Sequence, residues 1–378
     1  MITPTDVDGR MTIPIRPEIL SIDPYVPGKP IAEVERELGL TGVVKLASNE
    51  NPLGPSPAAL EAVRQSLQGL HRYPDGGGSA LRRAIADTLV VSPDEIVLGN
   101  GSDEIVDLLA KTVLREGDEA VMASPTFGIY RIAVLAHRGR PVEIPLRRGR
   151  HDLGAMADAV TSRTRLVFVC NPNSPTGTSI GRNEILSLLG RLPDDVILVC
   201  DHAYEDYVTA ANFPGAASLL QTGRPVVVLR TFSKIYGLAG LRIGYGVGPA
   251  DLIGYLNRVR LPFNVSTVAQ AAAIAALKDQ AHVRASRAVN AEGKASLTKA
   301  FTEMGLAFYP TEANFLYVDV GRDGRKVFQA MLKHGVIVRH LEGTWLRITI
   351  GLPEENRRCV HVLANVLADE GDSMKERA

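Results

Sequence analysis

Lys234 is the residue of this sequence whose setting best suits covalent chemistry. It follows the apolar run 226–229 after four intervening residues, and Arg242 comes eight positions later. A lysine amine forms an imine with an aldehyde only when it is neutral, and burial at a strand end or a neighbouring cation favours the neutral form. The setting indicates a Schiff-base lysine, whereas a solvated charge is the ordinary alternative for any single lysine.

Two other apolar runs end in polar residues that could meet Lys234. Residues 196–200 lead directly into Asp201, and residues 166–170 lead into a polar loop that contains Asn173. Unbroken apolar runs of this length are typical of strands that are buried on both faces. Because ligands bind outside the carboxyl ends of the strands in open parallel sheets, these three polar residues are predicted to converge.

Residues 98–104, with the sequence LGNGSDE, predict a strand, a glycine turn and the start of a helix. Gly101 would let the backbone approach an anion closely, while the free amides of Ser102 and Asp103 would offer donors at the positive end of the helix. The same pattern is also typical of a simple tight turn, and it fits neither the dinucleotide nor the P-loop fingerprint. The predicted helix places five residues on one face: Ile105, Leu108, Leu109, Thr112 and Val113.

These segments form part of a longer pattern. The run 233–244, SKIYGLAGLRIG, resembles the cofactor-lysine motif of the fold-type-I pyridoxal-phosphate aminotransferases, most closely those that act on histidinol phosphate. The resemblance covers nearly the whole chain, because further segments recur in the family's order: Asn49-Glu50-Asn51-Pro52, Arg72-Tyr73-Pro74, Gly101-Ser102-Asp103-Glu104, Pro125-Thr126-Phe127, the run 171–177, Asp201-x-Ala203-Tyr204 and Leu346-Arg347-Ile348-Thr349.

The resemblance implies an α/β fold of the fold-type-I pyridoxal-phosphate transferases. A large domain with a mostly parallel, seven-stranded type of sheet would be joined by a smaller α/β domain. We predict an N-terminal arm at residues 1–45 that joins the small domain, a large cofactor-binding domain at 46–280 and a small C-terminal domain at 281–378. Alternating strand and helix patterns in the middle segment favour a parallel sheet covered on both faces.

Particular elements are predicted at several places. Prolines in the N-terminal arm predict an extended segment with one short helix near residues 31–38. The alanine-rich stretch 266–277 predicts a long helix, and strands are expected near residues 314–320 and 345–350.

The resemblance also implies catalytic roles. Lys234 would bind the aldehyde carbon of pyridoxal 5′-phosphate and afterwards carry a proton from the α-carbon of the substrate. Asp201 would pair with the pyridine nitrogen, Tyr204 would hydrogen-bond the phenolic oxygen, and Phe127 would stack on the ring. The alternatives are a turn-capping role for Asp201 and an ordinary core position for Phe127.

The phosphate of the cofactor would be bound by a group of residues that the resemblance brings together. It comprises the amides of Gly101, Ser102 and Asp103, the hydroxyl groups of Thr231 and Ser233, and the guanidinium of Arg242. Tyr73 would reach the phosphate of a neighbouring subunit, which implies a homodimer with a shared active site. A tyrosine that ends a helix before Pro74 is the alternative.

Two positions depart from the pattern of the family. Ser174 stands where many relatives have an asparagine that contacts the cofactor, so either Asn173 or Ser174 would supply that contact, or Tyr204 most of it. His202 stands where an acidic residue is common, and a structural role is the more usual one for such a histidine.

Substrate recognition would rest on a second group of residues: Tyr25, Asn49, Asn314, Arg339 and Arg347. Arg347 matches the arginine that binds the acidic group of the substrate, and Tyr25 and Arg339 match residues of a substrate-phosphate site. The expected reaction is transamination between histidinol phosphate and 2-oxoglutarate. An aromatic amino acid as the amine, a decarboxylase or carbon–sulfur lyase of the same fold, and an idle cofactor-binding or regulatory protein are the alternatives.

Composition excludes some partners. The 42 lysines and arginines balance the 42 aspartates and glutamates, so no nucleic-acid partner is predicted, and the basic cluster at residues 147–150 is expected to be a solvated loop. The three cysteines lack metal-ligand spacing, which favours a reducing, cytoplasmic location and no metal site. No apolar run is long enough to span a membrane, and no signal peptide is recognisable.

Overall fold

The apolar runs of the sequence form the strands of the central sheet. The computed structural model describes residues 15–24 and 28–375, so Tyr25 lies outside the described residues. In chain order the strands are β1 (Val44–Lys45), β2 (Ile96–Asn100), β3 (Glu119–Ser124), β4 (Arg140–Pro145), β5 (Thr164–Cys170), β6 (Ile197–Asp201), β7 (Val226–Thr231), β8 (Ile243–Val247), β9 (Ala307–Phe308), β10 (Phe315–Asp319), β11 (Val336–Ile337), β12 (Arg339–His340) and β13 (Trp345–Thr349).

The helices follow the strands in alternation through the middle of the chain. They are α1 (Pro17–Leu20), α2 (Ile31–Leu38), α3 (Pro57–Ser66), α4 (Ser79–Leu89), α5 (Gly101–Val113), α6 (Ile129–Ala136), α7 (Leu153–Asp158), α8 (Arg182–Arg191), α9 (Ala216–Leu220), α10 (Ala250–Val259), α11 (Thr267–Lys278), α12 (Gln280–Glu303), α13 (Gly324–Lys333) and α14 (Pro353–Lys375).

The large sheet has seven strands in the order β2-β8-β7-β6-β5-β3-β4. Strand β8 runs antiparallel to both of its neighbours, and all other neighbouring strands are parallel. The prediction of a mostly parallel sheet is therefore confirmed. The parallel arrangement brings the carboxyl ends of β5, β6 and β7 to one edge, where Cys170, Asp201 and Thr231 end their strands.

Neighbouring residues along these strands face different helix layers. On β5, Phe168 lies in a core with residues of α5, α6 and α10, whereas Val167 lies in a core with residues of α7, α8 and α9. On β6, Val199 and Leu198 divide between the same two cores. Each of residues 166–170 and 197–200 faces one of these two cores, which explains why the sequence shows unbroken apolar runs here instead of alternation.

A smaller antiparallel sheet, in the order β12-β13-β10-β9, is formed by the C-terminal part of the chain. Its apolar residues pack with residues of α12, α13 and α14. The N-terminal segment reaches this region, because β1 pairs in parallel with β11. This pairing supports the predicted association of the arm with a small domain; the boundaries at residues 45 and 280 stay predictions.

Local predictions agree with these elements, with one difference. The predicted short helix is α2, and the predicted alanine-rich helix is α11, which Ser266 caps by accepting a hydrogen bond from the Ala269 amide at 3.2 Å. The arm was expected to contain one helix, but α1 adds a second of a single turn. Its first residue is Pro17, whose fixed φ suits the start of a helix.

Within the described residues, none of the helices combines the length and apolar character that crossing a bilayer requires.

Candidate active site

A cavity of about 320 Å³ opens at the carboxyl ends of β5, β6 and β7. Nearly all residues predicted to bind the cofactor line it: Gly101, Ser102, Asp103, Phe127, Ser174, Asp201, Tyr204, Thr231, Ser233, Lys234 and Arg242. Two do not, Asn173 and Tyr73. The wall also contains six residues for which no role was predicted: Ser48, Glu50, Ile129, Cys170, Ala203 and Ala239.

Asp201 is the buried carboxylate of this cavity and is only 3% exposed. Its Oδ1 accepts a hydrogen bond from the Ala203 amide at 3.1 Å, and its Oδ2 accepts one from the Tyr130 hydroxyl at 2.6 Å. Burial raises the pKa of Asp201, and the hydrogen bond from Tyr130 is the largest opposing influence. The side chain is an acceptor at the floor of the cavity, with no cation in ion-pair contact among the described residues.

Lys234 and Tyr204 lie side by side on the cavity wall. The Nζ atom of Lys234 is 5.5 Å from the centre of the Tyr204 ring. The Tyr204 hydroxyl accepts a hydrogen bond from Nδ2 of Asn49 at 2.9 Å, so its own proton is free to be donated elsewhere. Asn49 is buried, has a left-handed φ of 55°, and exchanges two 3.0 Å hydrogen bonds with the Thr349 hydroxyl.

An anion cradle forms where α5 begins. Gly101 has a φ of +74°, and a Cβ at this position would lie 2.5 Å from Nη2 of Arg242. Gly244 lets β8 lie equally close to the start of α5, because a Cβ at position 244 would lie 2.5 Å from the Ser102 amide nitrogen. The Gly101 amide, which was predicted to contact the phosphate, donates instead to the Arg242 carbonyl at 3.0 Å. The two glycines let the Ser102 and Asp103 amides at the start of this 13-residue helix and the Arg242 guanidinium share one corner of the cavity, an arrangement that suits a phosphate.

Charged side chains at this corner partly offset one another. Arg242 donates through Nη2 to Oδ2 of Asp103 at 3.3 Å, and both side chains are exposed toward the cavity, by 45% and 41%. Burial by neighbouring groups raises the pKa of Asp103, while Arg242 and Lys234 act to lower it. The Arg242 guanidinium and the positive end of α5 can therefore still bind an anion at this corner.

The loop after β5 separates the two candidates for a cofactor contact. Asn173 is fully buried, donates through Nδ2 to Thr176 and Pro125, and accepts from the Thr126 hydroxyl at 2.7 Å. Its amide is thus used by this loop and by the neighbouring residues 125–126, and Asn173 does not line the cavity. Ser174 lines the cavity instead, and its Oγ accepts a 3.0 Å hydrogen bond from Nη1 of Arg347.

A second cavity of about 130 Å³ shares five lining residues with the first: Ser48, Phe127, Ser174, Tyr204 and Lys234. It contains three of the predicted substrate residues, Asn49, Arg339 and Arg347. The two arginines are direct cross-strand neighbours in the antiparallel pair of β12 and β13. Two guanidinium groups on adjacent strands beside the lysine suit a small molecule that carries an acidic group.

Asn314, also predicted to contact substrate, lies behind this second cavity. It is buried, and its Nδ2 donates to the Asn49 carbonyl at 3.0 Å. Its observed contact therefore fixes the unusual backbone of Asn49 instead of reaching the cavity directly. The sequence does not reveal that Asn314 supports Asn49, because the two asparagines are 265 residues apart along the chain.

Tyr130 is a residue of this site that sequence reasoning missed. It follows Phe127 by three positions at the start of α6, and the two rings meet edge to face with centres 5.5 Å apart. The spacing of one helical turn from a predicted ring-stacking residue was the available signal.

Tyr73 is far more exposed than a tyrosine inside a site, at 82%. Its ring stacks on Phe263 with centres 4.6 Å apart, on a surface that also exposes Leu70 and Leu261. The single chain does not bring Tyr73 to the cavity.

His202 is fully buried beside Asp201 and joins a charged network instead of the cavity. Its Nδ1 lies 3.1 Å from Glu205, which also contacts Arg230 at 2.9 Å. Arg230 contacts Asp206 at 3.0 Å as well. These contacts support the structural role that was predicted as the more usual one for His202.

The sheet, the cavity at its carboxyl edge and the lysine on the cavity wall are the arrangement expected of an α/β enzyme that binds an aldehyde cofactor. The chain belongs to the aminotransferase class I and II family, which matches residues 41–363. It is 52% identical over 369 residues to the histidinol-phosphate aminotransferase of Moorella thermoacetica, with 96% of each chain covered. It is 46% identical over 360 residues to that of Halalkalibacterium halodurans, covering 94% of this chain and 98% of the relative.

A solved structure shares the fold closely. The crystal structure of histidinol-phosphate aminotransferase from Sinorhizobium meliloti in complex with pyridoxal-5′-phosphate superimposes with a TM-score of 0.87 at 29% identity. The match covers 94% of this chain and 98% of the other. The fold class and the family resemblance predicted from the sequence are confirmed.

Proposed function

We propose that this chain is a histidinol-phosphate:2-oxoglutarate aminotransferase that binds pyridoxal 5′-phosphate through Lys234. The observation that carries the proposal is that Lys234 lines two joined cavities. One contains Asp201 and the anion cradle of Arg242, and the other contains the arginine pair of β12 and β13. Relatives that are 44–52% identical over nearly their full length bear the name of this enzyme.

The residues of the larger cavity fit the cofactor. A phosphate suits the corner where the glycine backbone at Gly101 leaves room beside Arg242, and a protonated ring nitrogen suits the buried acceptor Asp201. When bound, pyridoxal phosphate supplies an aldehyde and a ring that withdraws electrons from the α-carbon of the substrate.

The side chains then have separate tasks. Nζ of Lys234 would hold the aldehyde carbon of the cofactor until the substrate amine replaces it, and the freed amine would then move the proton from the α-carbon of the substrate to that carbon. Asp201 accepts a hydrogen bond from the ring nitrogen and keeps it protonated. Tyr204 donates its hydroxyl proton toward the phenolic oxygen of the cofactor, because Asn49 already donates to the tyrosine oxygen.

The smaller cavity selects the substrate. Arg339 and Arg347 bind the phosphate of histidinol phosphate in one half-reaction and a carboxylate of glutamate or 2-oxoglutarate in the other, since a guanidinium suits both anions. Nη1 and Nη2 of Arg347 are oriented by Ser174 and by the Ala47 carbonyl at 3.0 and 2.9 Å. Tyr25, outside the described residues, is proposed to complete this site.

The active form is proposed to be a homodimer. The exposed ring of Tyr73, stacked on Phe263 and flanked by exposed leucines, supports an interface through which this tyrosine contributes to the phosphate site of the other subunit. A cytoplasmic location is proposed from the three cysteines, which are free and buried.

A spectral titration of the purified holoenzyme tests the assigned reaction. Histidinol phosphate should convert the cofactor to its pyridoxamine form at lower concentration than phenylalanine does, and 2-oxoglutarate should reverse the change with formation of glutamate. A preference for phenylalanine would support an aromatic aminotransferase. Release of carbon dioxide from glutamate without formation of 2-oxoglutarate would contradict transamination.

A further inference from the structure

Tyr130 contacts the carboxylate of Asp201 from behind the cavity, and no predicted role accounts for it. Its hydroxyl donates to Oδ2 of Asp201 at 2.6 Å. We propose that Tyr130 is a positioning residue that keeps the Asp201 carboxylate ionised and oriented toward the ring nitrogen of the cofactor. The inference rests on the proposed function and assigns a new residue to it.

The ring of Tyr130 is held firmly in place. It is completely buried and lies nearly parallel to the ring of Phe168, with centres 4.7 Å apart and an angle of 8° between the planes. The ring of Phe127 closes one side, almost perpendicular to it at 83°. Because the ring is closely packed against both neighbours, rotating it away would disrupt these contacts, and this packing favours a hydroxyl directed at Asp201.

The direction of this hydrogen bond is fixed by protonation. Burial and the nearby Asp201 charge raise the pKa of Tyr130 well above its ordinary value, so the hydroxyl keeps its proton and remains a donor. The only other hydrogen bond to the carboxylate from the described residues comes from the Ala203 amide at 3.1 Å, to Oδ1. Tyr130 is thus the only side chain among them that donates to Asp201.

The remaining groups around Asp201 explain why this donor matters. Burial raises the pKa of Asp201 and favours a neutral acid, which would no longer attract a protonated ring nitrogen. The Tyr130 hydroxyl opposes this shift more strongly than any other group. The charged or titratable groups that face Asp201 are Asp103, which raises its pKa, His202, which lowers it, the buried thiols of Cys170 and Cys200, and Lys234 on the same cavity wall.

The change Tyr130→Phe removes one oxygen atom and keeps the stacked ring. Tyr245→Phe is the matched control, because Tyr245 is also a buried tyrosine but lies on β8, two strands away from the β6 strand that carries Asp201. The probe is 4′-deoxypyridoxine phosphate, which lacks the aldehyde and cannot react with Lys234. Its dissociation constant is measured with the full-length, cofactor-free protein between pH 4 and pH 9.

The affinity for the probe should fall at low pH, where Asp201 becomes protonated, and we call this fall the acidic limb. Tyr130→Phe is expected to move the limb to higher pH by roughly one to two units, since a hydrogen bond to a charged group is lost. Within that limb the variant should bind the probe roughly ten to a hundred times more weakly than the wild type. At pH 8 to 9, above the acidic limb, the two affinities should differ by less than about threefold. Tyr245→Phe should follow the wild-type profile.

Two patterns of affinity loss in these single variants would overturn the inference. One is a loss of affinity in Tyr130→Phe by the same factor at every pH, which is what a purely structural role predicts. The other is an equal displacement of the limb in Tyr245→Phe.

A second pair of variants tests the coupling directly. In an Asp201→Asn background the carboxylate that Tyr130 contacts is absent, so adding Tyr130→Phe should leave the profile unchanged, and a displaced limb there would contradict the assignment. Failure of the wild-type protein to bind the probe at any pH would overturn the proposed function together with this inference, whereas wild-type binding with coincident profiles would overturn the inference alone.

Discussion

Replacing Gly101 by alanine tests the anion cradle with a single methyl group. The glycine has a left-handed φ of +74°, and the added Cβ would lie 2.5 Å from Nη2 and 3.3 Å from Cζ of Arg242. A non-glycine residue in this conformation costs roughly 1–2 kcal/mol of folding stability. The contact with Arg242 costs little more, because the guanidinium is the mobile end of a side chain that is 45% exposed and can move aside.

The larger effect should therefore appear in cofactor binding. Displacing Arg242 removes a hydrogen bond between charged groups, which is worth about 1.5–3 kcal/mol. The dissociation constant for pyridoxal phosphate should rise roughly ten- to a hundredfold. Fluorescence titration of the cofactor-free protein measures this constant, and urea unfolding measures the stability.

Gly117→Ala supplies the matched control. Gly117 has a similar φ of +83°, but an added Cβ would have no neighbour within 4 Å. Both variants should lose similar stability, and only Gly101→Ala should lose affinity. Unchanged affinity in Gly101→Ala, or an equal loss in Gly117→Ala, would refute the assignment of the cradle.

Three further outcomes are expected. Mixing Lys234→Ala with Tyr73→Ala subunits should restore up to roughly a quarter of wild-type activity, because half of the random dimers are mixed and each has one intact site. Arg347→Gln should raise KM for histidinol phosphate roughly ten- to a hundredfold with a smaller change in kcat. Although burial opposes ionisation of Glu205, Arg230 holds its pKa at about 2, below the usual 4.5, so Glu205→Gln should cost about 3 kcal/mol of stability at pH 7. That difference should disappear as the pH falls from 4.5 through about 2.

Each of these outcomes has a control. Activity of the mixed subunits that does not exceed the sum of the separate variants would contradict the shared site. Arg325→Gln removes an exposed arginine of α13 that lines neither cavity and should leave KM unchanged. A destabilisation in Glu205→Gln that is as large at pH 2 as at pH 7, measured by urea unfolding, would show that charge is not its cause.

The strand positions and the convergence of Asp201 with Lys234 were predictable because they follow from one regular pattern. Strands buried on both faces are unbroken apolar runs, and a parallel sheet brings their carboxyl ends to one edge. The glycine turn before α5 was equally visible, since Gly101 and the helix that follows it are adjacent in the sequence.

The contacts behind these residues could not be predicted in the same way. The pairing of Arg339 with Arg347 depends on strand register. Whether Asn173 or Ser174 faces the cavity depends on which of the two side chains forms hydrogen bonds with neighbouring protein groups. The hydrogen bond from Tyr130 to Asp201 joins residues 71 positions apart through a packed aromatic cluster. Such contacts arise from three-dimensional packing, which one-dimensional periodicity does not encode.

The most direct test of the account is to find where the cofactor is attached. Borohydride reduction of the holoenzyme, followed by proteolysis and peptide mass mapping, should yield one pyridoxyl-modified peptide with the modification on Lys234. The Lys234→Ala protein should yield none after the same treatment. A modification on another lysine, or an unmodified Lys234 in protein that contains bound cofactor, would contradict the central claim.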